Sequence, residues 1–256
     1  MQEYKTLKDL TKILLLFDTF EFEERSVTEI SRNLNMLPSK VSRMLGTMEK
    51  EGFLRRNLET NKYRLGIRFF ELGMVFASHF SLRKIIRPHL EEMAREINLT
   101  VSWAILRDTK IIVMDRVQNL NIDLLAHRIG LNLPVHSTSV GKVLLAYLPE
   151  DEQDRILNTT DLVRFTPATI VDKKLIKEQM RVVRENGYST DEGETHEDLN
   201  CIAAPIKNSS GEVIAAINLT DEKSRTSAQK LLGFAPYLKE RAIFISRQTG
   251  HLSVLC

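Results

Sequence analysis

The sequence predicts an α+β protein of two domains: an all-α/winged helix-turn-helix N-terminal domain and an α+β C-terminal domain, joined by a linker helix. Three observations carry this. Residues Ser26 to Gly66 read as two short helices, a tight turn and a small hairpin, with positive charge gathered at the far end. Residues 66 to 80 are apolar on nearly every side of a helix. From Leu99 onward the hydrophobic period shifts toward the spacing of strands. The expected boundaries are 1–65, 66–80 for the linker, and 81–256.

A chain of 256 residues, 43% of them hydrophobic, can bury sizeable cores in one or two domains. It has no run of 18 apolar residues, and MQEYKTLKDLTK lacks the basic, apolar, small-residue order of a signal peptide. A cytoplasmic protein with no membrane partner is expected. Cys201 and Cys256 stand far apart without a CxxC or CxxH pattern, which argues against a disulfide framework or a zinc finger. The net charge of +2 implies no partner by itself, but its distribution is uneven. Residues 1 to 37 carry five Lys or Arg against seven Asp or Glu; residues 38 to 68 carry eight against three.

Leu7, Leu10, Ile13, Leu14, Phe17 and Phe20 recur at three- and four-residue steps, one stripe of a first helix. Ser26 and Glu29 form a capping box that starts a second helix near Val27. That helix ends near Leu34, where Asn35 can take the left-handed conformation a tight turn requires. The third helix starts near Pro38 and buries Val41, Met44, Leu45 and Met48, leaving Ser39, Lys40, Ser42, Arg43 and Thr47 on the other side. Such residues suit a recognition helix: hydroxyls contact phosphates or base edges, and Arg binds guanine bidentately. After Gly52, two alternating runs around Glu59, Thr60 and Asn61 predict a β-hairpin wing. It carries Arg55, Arg56, Lys62 and Arg64, placed to neutralise phosphates. The competing readings are a solvated helix face and a charge-guarded edge strand.

Ile67, Phe69, Phe70, Leu72, Met74, Val75 and Phe76 are too many for one stripe, so more than one face of the linker helix needs a cover. A second copy of the chain is the expected supplier of it, giving a dimer or a tetramer. Leu82, Ile85, Ile86, Leu90, Met93 and Ile97 mark the next helix. Strands are expected at TVSWAILRD, KIIVMDRVQ and IDLLAHRIG. A helix capped by Thr138 or Ser139 then runs to about Leu148, with further helices near 151–157 and 172–186. Strands recur at NCIAAPIK and EVIAAINLT, and a last helix spans roughly 224–248.

The segment TEISRNLNMLPSKVSRMLGTMEKEGFL, with Tyr63, Arg64, Leu65 and Gly66 closing the wing, resembles the winged helix-turn-helix of the IclR family of bacterial transcriptional regulators. The resemblance continues through LPVHSTSVGKVLLA, TPATI, GYSTDEGETHEDLNCIAAPI and EVIAAINLT, which match that family's GAF-like effector-binding domain. Asn35 and Asn61 replace the family's usual glycines, Pro38 lies one position late, and Lys40 and Ser42 replace a typical Thr and a common His. The resemblance implies double-stranded operator DNA as a partner and a small organic effector, often a carboxylate, with no cofactor. By position it places effector contacts at Ser139, Val140, Gly141 and Lys142, at Asp191, at Cys201, and at Asn218 and Thr220, where serines are common.

Physical reasoning agrees with parts of this. A helix start at Ser139 to Lys142 presents free amides and a positive dipole end to a carboxylate, and Gly141 permits close backbone approach. Asn218 and Thr220, two apart on a strand, share a face, and Trp103 could wall the pocket. Each also has a plainer reading: Trp103 as core, Lys142 as solvated, Cys201 as a small buried hydrophobe. Asp191, Glu194, His196 and Cys201 offer a metal-sensing alternative, although their spacing is no recognised ligand motif. Cys201, His196 and Asp191 could be imagined as nucleophile, base and orienter. No phosphate-binding glycine loop or HExxH supports other enzymology, and the expectation is a regulator rather than an enzyme. A ligand-binding protein whose N-terminal module binds protein is the remaining alternative.

Overall fold

The computed structural model describes residues 4–17, 24–118, 129–130 and 132–250. The chain divides into two units, Met1–Phe80 and Ser81–Cys256. The first contains α1 (Lys5–Leu15), α2 (Val27–Leu34), α3 (Pro38–Lys50), β1 (Leu54–Arg56), β2 (Tyr63–Leu65) and α4 (Ile67–His79). Ile13, Ile30, Val41, Leu45 and Met48 meet in its core with Leu54 and Tyr63 of the hairpin. Leu7, expected on the stripe of Ile13, is exposed, and the stripe packs only from Leu10 onward. Phe20 lies outside the described residues.

Local chemistry sets these boundaries. Ser26 Oγ accepts the Glu29 amide at 3.2 Å while the Glu29 carboxylate accepts the Ser26 amide at 2.6 Å, closing the capping box. The Ser26 amide is the chief reason the Glu29 carboxyl sits below its ordinary range. We expect Ser26→Ala to destabilise α2 by about 1 kcal/mol, read as faster amide exchange confined to its first turn. Unchanged protection there would remove the cap from this account. Asn35 ends α2 with φ 50, and Pro38 opens α3, where its missing N–H costs nothing. At Gly66 a Cβ would stand 2.2 Å from the Gly52 carbonyl oxygen, so only glycine lets the chain leave β2 across the entry to β1.

The second unit runs α5 (Ser81–Ile97), β3 (Thr100–Arg107), β4 (Lys110–Val117), β5 (Asn132–Pro134), α6 (Ser139–Ala146), α7 (Glu150–Thr159) and α8 (Lys173–Asn186). It continues with β6 (Ser189–Glu192), β7 (Leu199–Lys207), β8 (Val213–Glu222), α9 (Ala228–Leu232) and α10 (Ala235–Thr249). Among the described residues its six strands form one antiparallel sheet in the order β5-β4-β3-β8-β7-β6. Strand alternation gives the sheet two different faces. Ala104, Ala203 and Ala216 pack under α6, α7 and α8, and Ser102, Cys201, Asn218 and Thr220 share that face by register. Val101, Trp103, Ile202, Ile217 and Leu219 point to the other face, where α5 and α10 lie.

Three elements differ from expectation. The strand expected at 122–130 lies outside the described residues except for Ile129 and Gly130, which form a turn; β5 follows it. β6 was not expected, because STDE lacks apolar alternation and reads as a loop. The last helix is two: α9 ends near Gly233, and α10 begins with Pro236 in its first turn, since proline cannot continue the ladder of a preceding helix.

Candidate nucleic-acid interface and effector site

On α3 the buried stripe turns Ser39, Ser42, Arg43 and Thr47 outward together, and all four are exposed. Thr47 Oγ1 donates to the Arg43 carbonyl at 3.0 Å, leaving the Arg43 guanidinium as the longest cationic reach of that face. Lys40 departs from this set: its ammonium is bound by Asp9 of α1 and is only partly exposed. The Asp9 carboxyl is held below its ordinary range, first of all by that hydrogen bond. Gly46 lies in the middle of the exposed face, and a Cβ there would meet no atom within 4 Å.

The wing sorts its cations by strand alternation. Arg55 and Arg64 are directly opposite each other across the two strands and exposed. Two like charges so placed repel unless an anion lies over them. Arg56 takes the other face, 5.8 Å above the Tyr63 ring, and donates to Asn61 Oδ1 at 2.9 Å. Lys62 lies 3.5 Å from the Glu29 carboxylate. The Glu24 carboxylate ties the hairpin tip by accepting from Asn57 Nδ2 and Thr60 Oγ1 at 2.8–3.0 Å.

In the second unit every residue of α6 is buried. Thr138 Oγ1 accepts the Gly141 amide at 3.1 Å, leaving the amides of Ser139 and Val140 outside the helix ladder. Val140 itself belongs to the apolar core. At Gly141 a Cβ would lie 2.3 Å from the Val135 carbonyl oxygen, so the glycine lets the helix start pack against the chain's own backbone. Lys142 is not solvated. It is 3% exposed and its ammonium is bound by Glu194, while Asp191 accepts the Glu194 amide at 2.7 Å. Burial pushes the carboxyls of Asp191 and Glu194 up, and Lys142 opposes the rise in both.

Cys201 sits directly between Asp191 on β6 and Thr220 on β8, and Thr220 Oγ1 donates to its Sγ at 3.4 Å. Burial, reinforced by Asp191, raises the thiol far above its ordinary range, so it stays protonated. Asn218 Nδ2 donates to Thr220 Oγ1 at 2.9 Å and Asn218 Oδ1 accepts from Ser102 Oγ at 2.5 Å. Thus Ser102, Lys142, Asp191, Glu194, Cys201, Asn218 and Thr220 line one buried polar patch beneath α6. Glu194 and Ser102 are the members that sequence reasoning did not give this role. The alternation of β3 holds a signal for Ser102, which shares its face with Ala104 rather than with Trp103.

Two candidate groupings come apart. Trp103, fully buried, lies on the opposite sheet face, paired with Asp115, which binds Arg83 and Arg87 of α5 at 3.0 and 2.7 Å. It is core and cannot wall a pocket under α6. The metal set also fails on geometry. His196 is exposed and accepts the Asp198 amide, Asp191 and Cys201 are buried, and Glu194 is engaged with Lys142. Among the described residues no three His, Cys, Asp or Glu side chains converge on one point. The same separation of His196 from Cys201 disposes of the nucleophile–base pairing.

A winged helix-turn-helix on one unit and a buried polar patch in an α+β sensor unit define a ligand-responsive transcriptional regulator. The sequence profile described as "IclR helix-turn-helix domain" matches residues 10–58, and that described as "Bacterial transcriptional regulator IclR C-terminal" matches residues 74–247. The chain belongs to the IclR family of bacterial transcriptional regulators. It is 29% identical to the HTH-type transcriptional regulator XynR of Escherichia coli K12 over 96% of this chain and 98% of that one. It is 32% identical to the E. coli regulator KdgR, covering 90% of this chain and 88% of KdgR. Among solved structures, an IclR homolog from Microbacterium hydrocarbonoxydans complexed with 4-hydroxybenzoate superposes with a TM-score of 0.78. It is 25% identical, with 95% of this chain and 98% of that chain covered. The relatives are regulators rather than enzymes. No helix among the described residues is long and apolar enough to cross a membrane.

Proposed function

We propose that this chain binds operator duplex DNA as a homodimer or a homotetramer, and that a small organic carboxylate at the start of α6 sets its DNA affinity. The observation that carries the reading is the cluster of buried polar side chains under α6, set beside the apolar core of Val140, Val143, Ala203 and Ala216. The 4-hydroxybenzoate bound by the related Microbacterium protein supports a carboxylate. Ser39, Ser42, Arg43 and Thr47 read the groove, Arg55 and Arg64 grip backbone phosphates, and Arg56 and Lys62 support the wing tip while adding charge. The effector contacts are the amides of Ser139 and Val140 with Asp191, Cys201, Asn218 and Thr220. Lys142 holds Glu194 in place beside them.

Control requires the effector to bind the DNA-competent and DNA-incompetent arrangements with different affinity. The test begins with a duplex selected from random sequence by the full-length protein. Affinity for it should fall steeply with salt, as counterion release demands, and small carboxylates should shift it at constant ionic strength. Binding indifferent to salt, or to every acid of a broad aliphatic and aromatic panel, would defeat the reading.

The dimer rests on α4. Ile67, Phe70, Leu72, Met74, Val75 and Phe76 are each 52–68% exposed in the single chain, and none of the helix is buried. A continuous apolar surface of this kind is uncommon on monomers, and a second α4 brings a matching face. Light scattering at micromolar concentration should give at least twice the chain mass of 29.4 kDa. A monomer would remove the proposal.

A further inference from the structure

Strand β7 outruns its edge partner. β6 pairs with it only as far as Ser189 opposite Ala203, so among the described residues no strand continues beside Ala204 to Lys207 on that side. The chain is turned away at Gly187, whose φ of 75 ends α8. The space left beside β7 is a cleft of about 410 Å³, bounded by α10 on one flank and by Tyr147, the residue that ends α6, on the other. That volume lies within the range of small-molecule sites, about 300–1,000 Å³.

The lining has a definite chemistry. Its floor is apolar, formed by Ala204, Pro205, Ala242 and Ile243, and three cations surround it: Lys207, Lys239 and Arg247. The Lys207 ammonium stands 5.0 Å from the centre of the Tyr147 ring, and Lys239 Nζ donates to the Asn186 carbonyl at 2.8 Å. Arg247 is exposed. Among the described residues none of the three forms an ion pair, although salt bridges are common elsewhere on this unit. Three unneutralised cations around an apolar floor favour an occupant with negative charge and an apolar body.

We propose that this cleft is a second ligand site, separate from the patch under α6, and that it takes a small organic anion with more than one anionic oxygen. Lys207 and Arg247 bind the anionic groups, Lys239 adds charge from the α8 end, and the apolar floor takes the carbon frame. The same α6 helix starts at the proposed effector residues and ends at the cleft, so occupancy of one site can be felt at the other through one rigid element. The proposal does not depend on the effector reading, because it uses none of its residues.

Calorimetric titration of the full-length protein with phthalate, succinate and inorganic phosphate, at constant ionic strength in chloride, tests it. We expect at least one of the two organic dianions to bind, and the double substitution Lys207→Gln, Arg247→Gln to weaken that binding about tenfold or more, the loss of charge-assisted hydrogen bonds. The charge-retaining pair Lys207→Arg, Arg247→Lys should keep most of the affinity, and unchanged Trp103 fluorescence verifies folding of both variants. Affinity that survives the glutamine pair places the anion elsewhere and overturns the proposal. So does binding of neither dianion, or phosphate binding as tightly as phthalate, which would make the apolar floor irrelevant.

Discussion

Replacing Lys142 with Met is expected to destabilise the C-terminal unit by about 3–5 kcal/mol at neutral pH, the usual cost of stripping one partner from a buried ion pair. The ammonium is 3% exposed and its partner Glu194 is also buried. Without Lys142 the carboxylate must either stay charged in a medium that solvates it poorly or take up a proton. Trp103, the single tryptophan, lies in the core of this unit and reports its unfolding in urea without interference from the other. Adding Glu194→Gln should recover a large part of the loss, because it removes the orphaned charge. A double variant as unstable as the single one would show that Lys142 acts through packing alone.

The deficit should depend on pH with a definite sign. Burial already raises the folded-state carboxyls of Glu194 and Asp191 above their ordinary values of 4.5 and 3.8, with Lys142 holding both back. In the Lys142→Met protein that restraint is gone and both rise further. Between the unfolded and folded values the folded state holds more protons, so stability falls as pH rises through that window. The gap between wild type and variant should therefore be small in acid and reach its full size above the folded carboxyl range. A gap independent of pH would contradict the role of these carboxyls.

The second large effect concerns DNA. Arg43→Ala should lose about 1–3 kcal/mol on a selected duplex and far less on random sequence, if its guanidinium reads a base edge. Arg55→Ala should weaken both duplexes alike and lower the salt slope by about one. Paired fluorescence anisotropy titrations at several salt concentrations separate the two. Equal losses on both duplexes for Arg43→Ala would make Arg43 a phosphate contact. Lys40→Ala should do less than either, because the Lys40 ammonium is already bound by Asp9.

The helix-turn-helix was legible because its determinants are local. Ser26 and Glu29 are three residues apart, Asn35 and Pro38 act on their own backbone, and the Val41 stripe repeats within one helix. The wing was legible as a hairpin, but the division of its arginines was not. Arg55 and Arg64 share a face only because the register sets them opposite each other, and register depends on the turn and on the core beneath. The break between α9 and α10 was visible as Gly233 and Pro236, yet apolar periodicity on both sides hid it.

The polar patch under α6 divides the same way. Asn218 and Thr220 share a face by strand alternation alone, and that expectation needs no fold. Trp103 looked like a pocket wall because an aromatic beside polar neighbours can serve as one. Strand alternation sets it opposite Ser102, but only the sheet's two coverings, α6 on one face and α5 with α10 on the other, decide which of those faces holds the patch. Lys142 and Glu194 are 52 positions apart, and no periodicity connects them.

Capping, turn chemistry and hydrophobic period act within a few residues, so the family, the two-unit order, the helix-turn-helix boundaries and the strands beneath α6 are readable from sequence alone. Packing sets which cations are free, which face of the sheet holds the polar patch, that Lys142 is buried on Glu194, and that β7 leaves a charged cleft at its end. Those depend on contacts between segments distant along the chain. Their partners, and the dielectric around them, exist only once the sheet and its helices have packed.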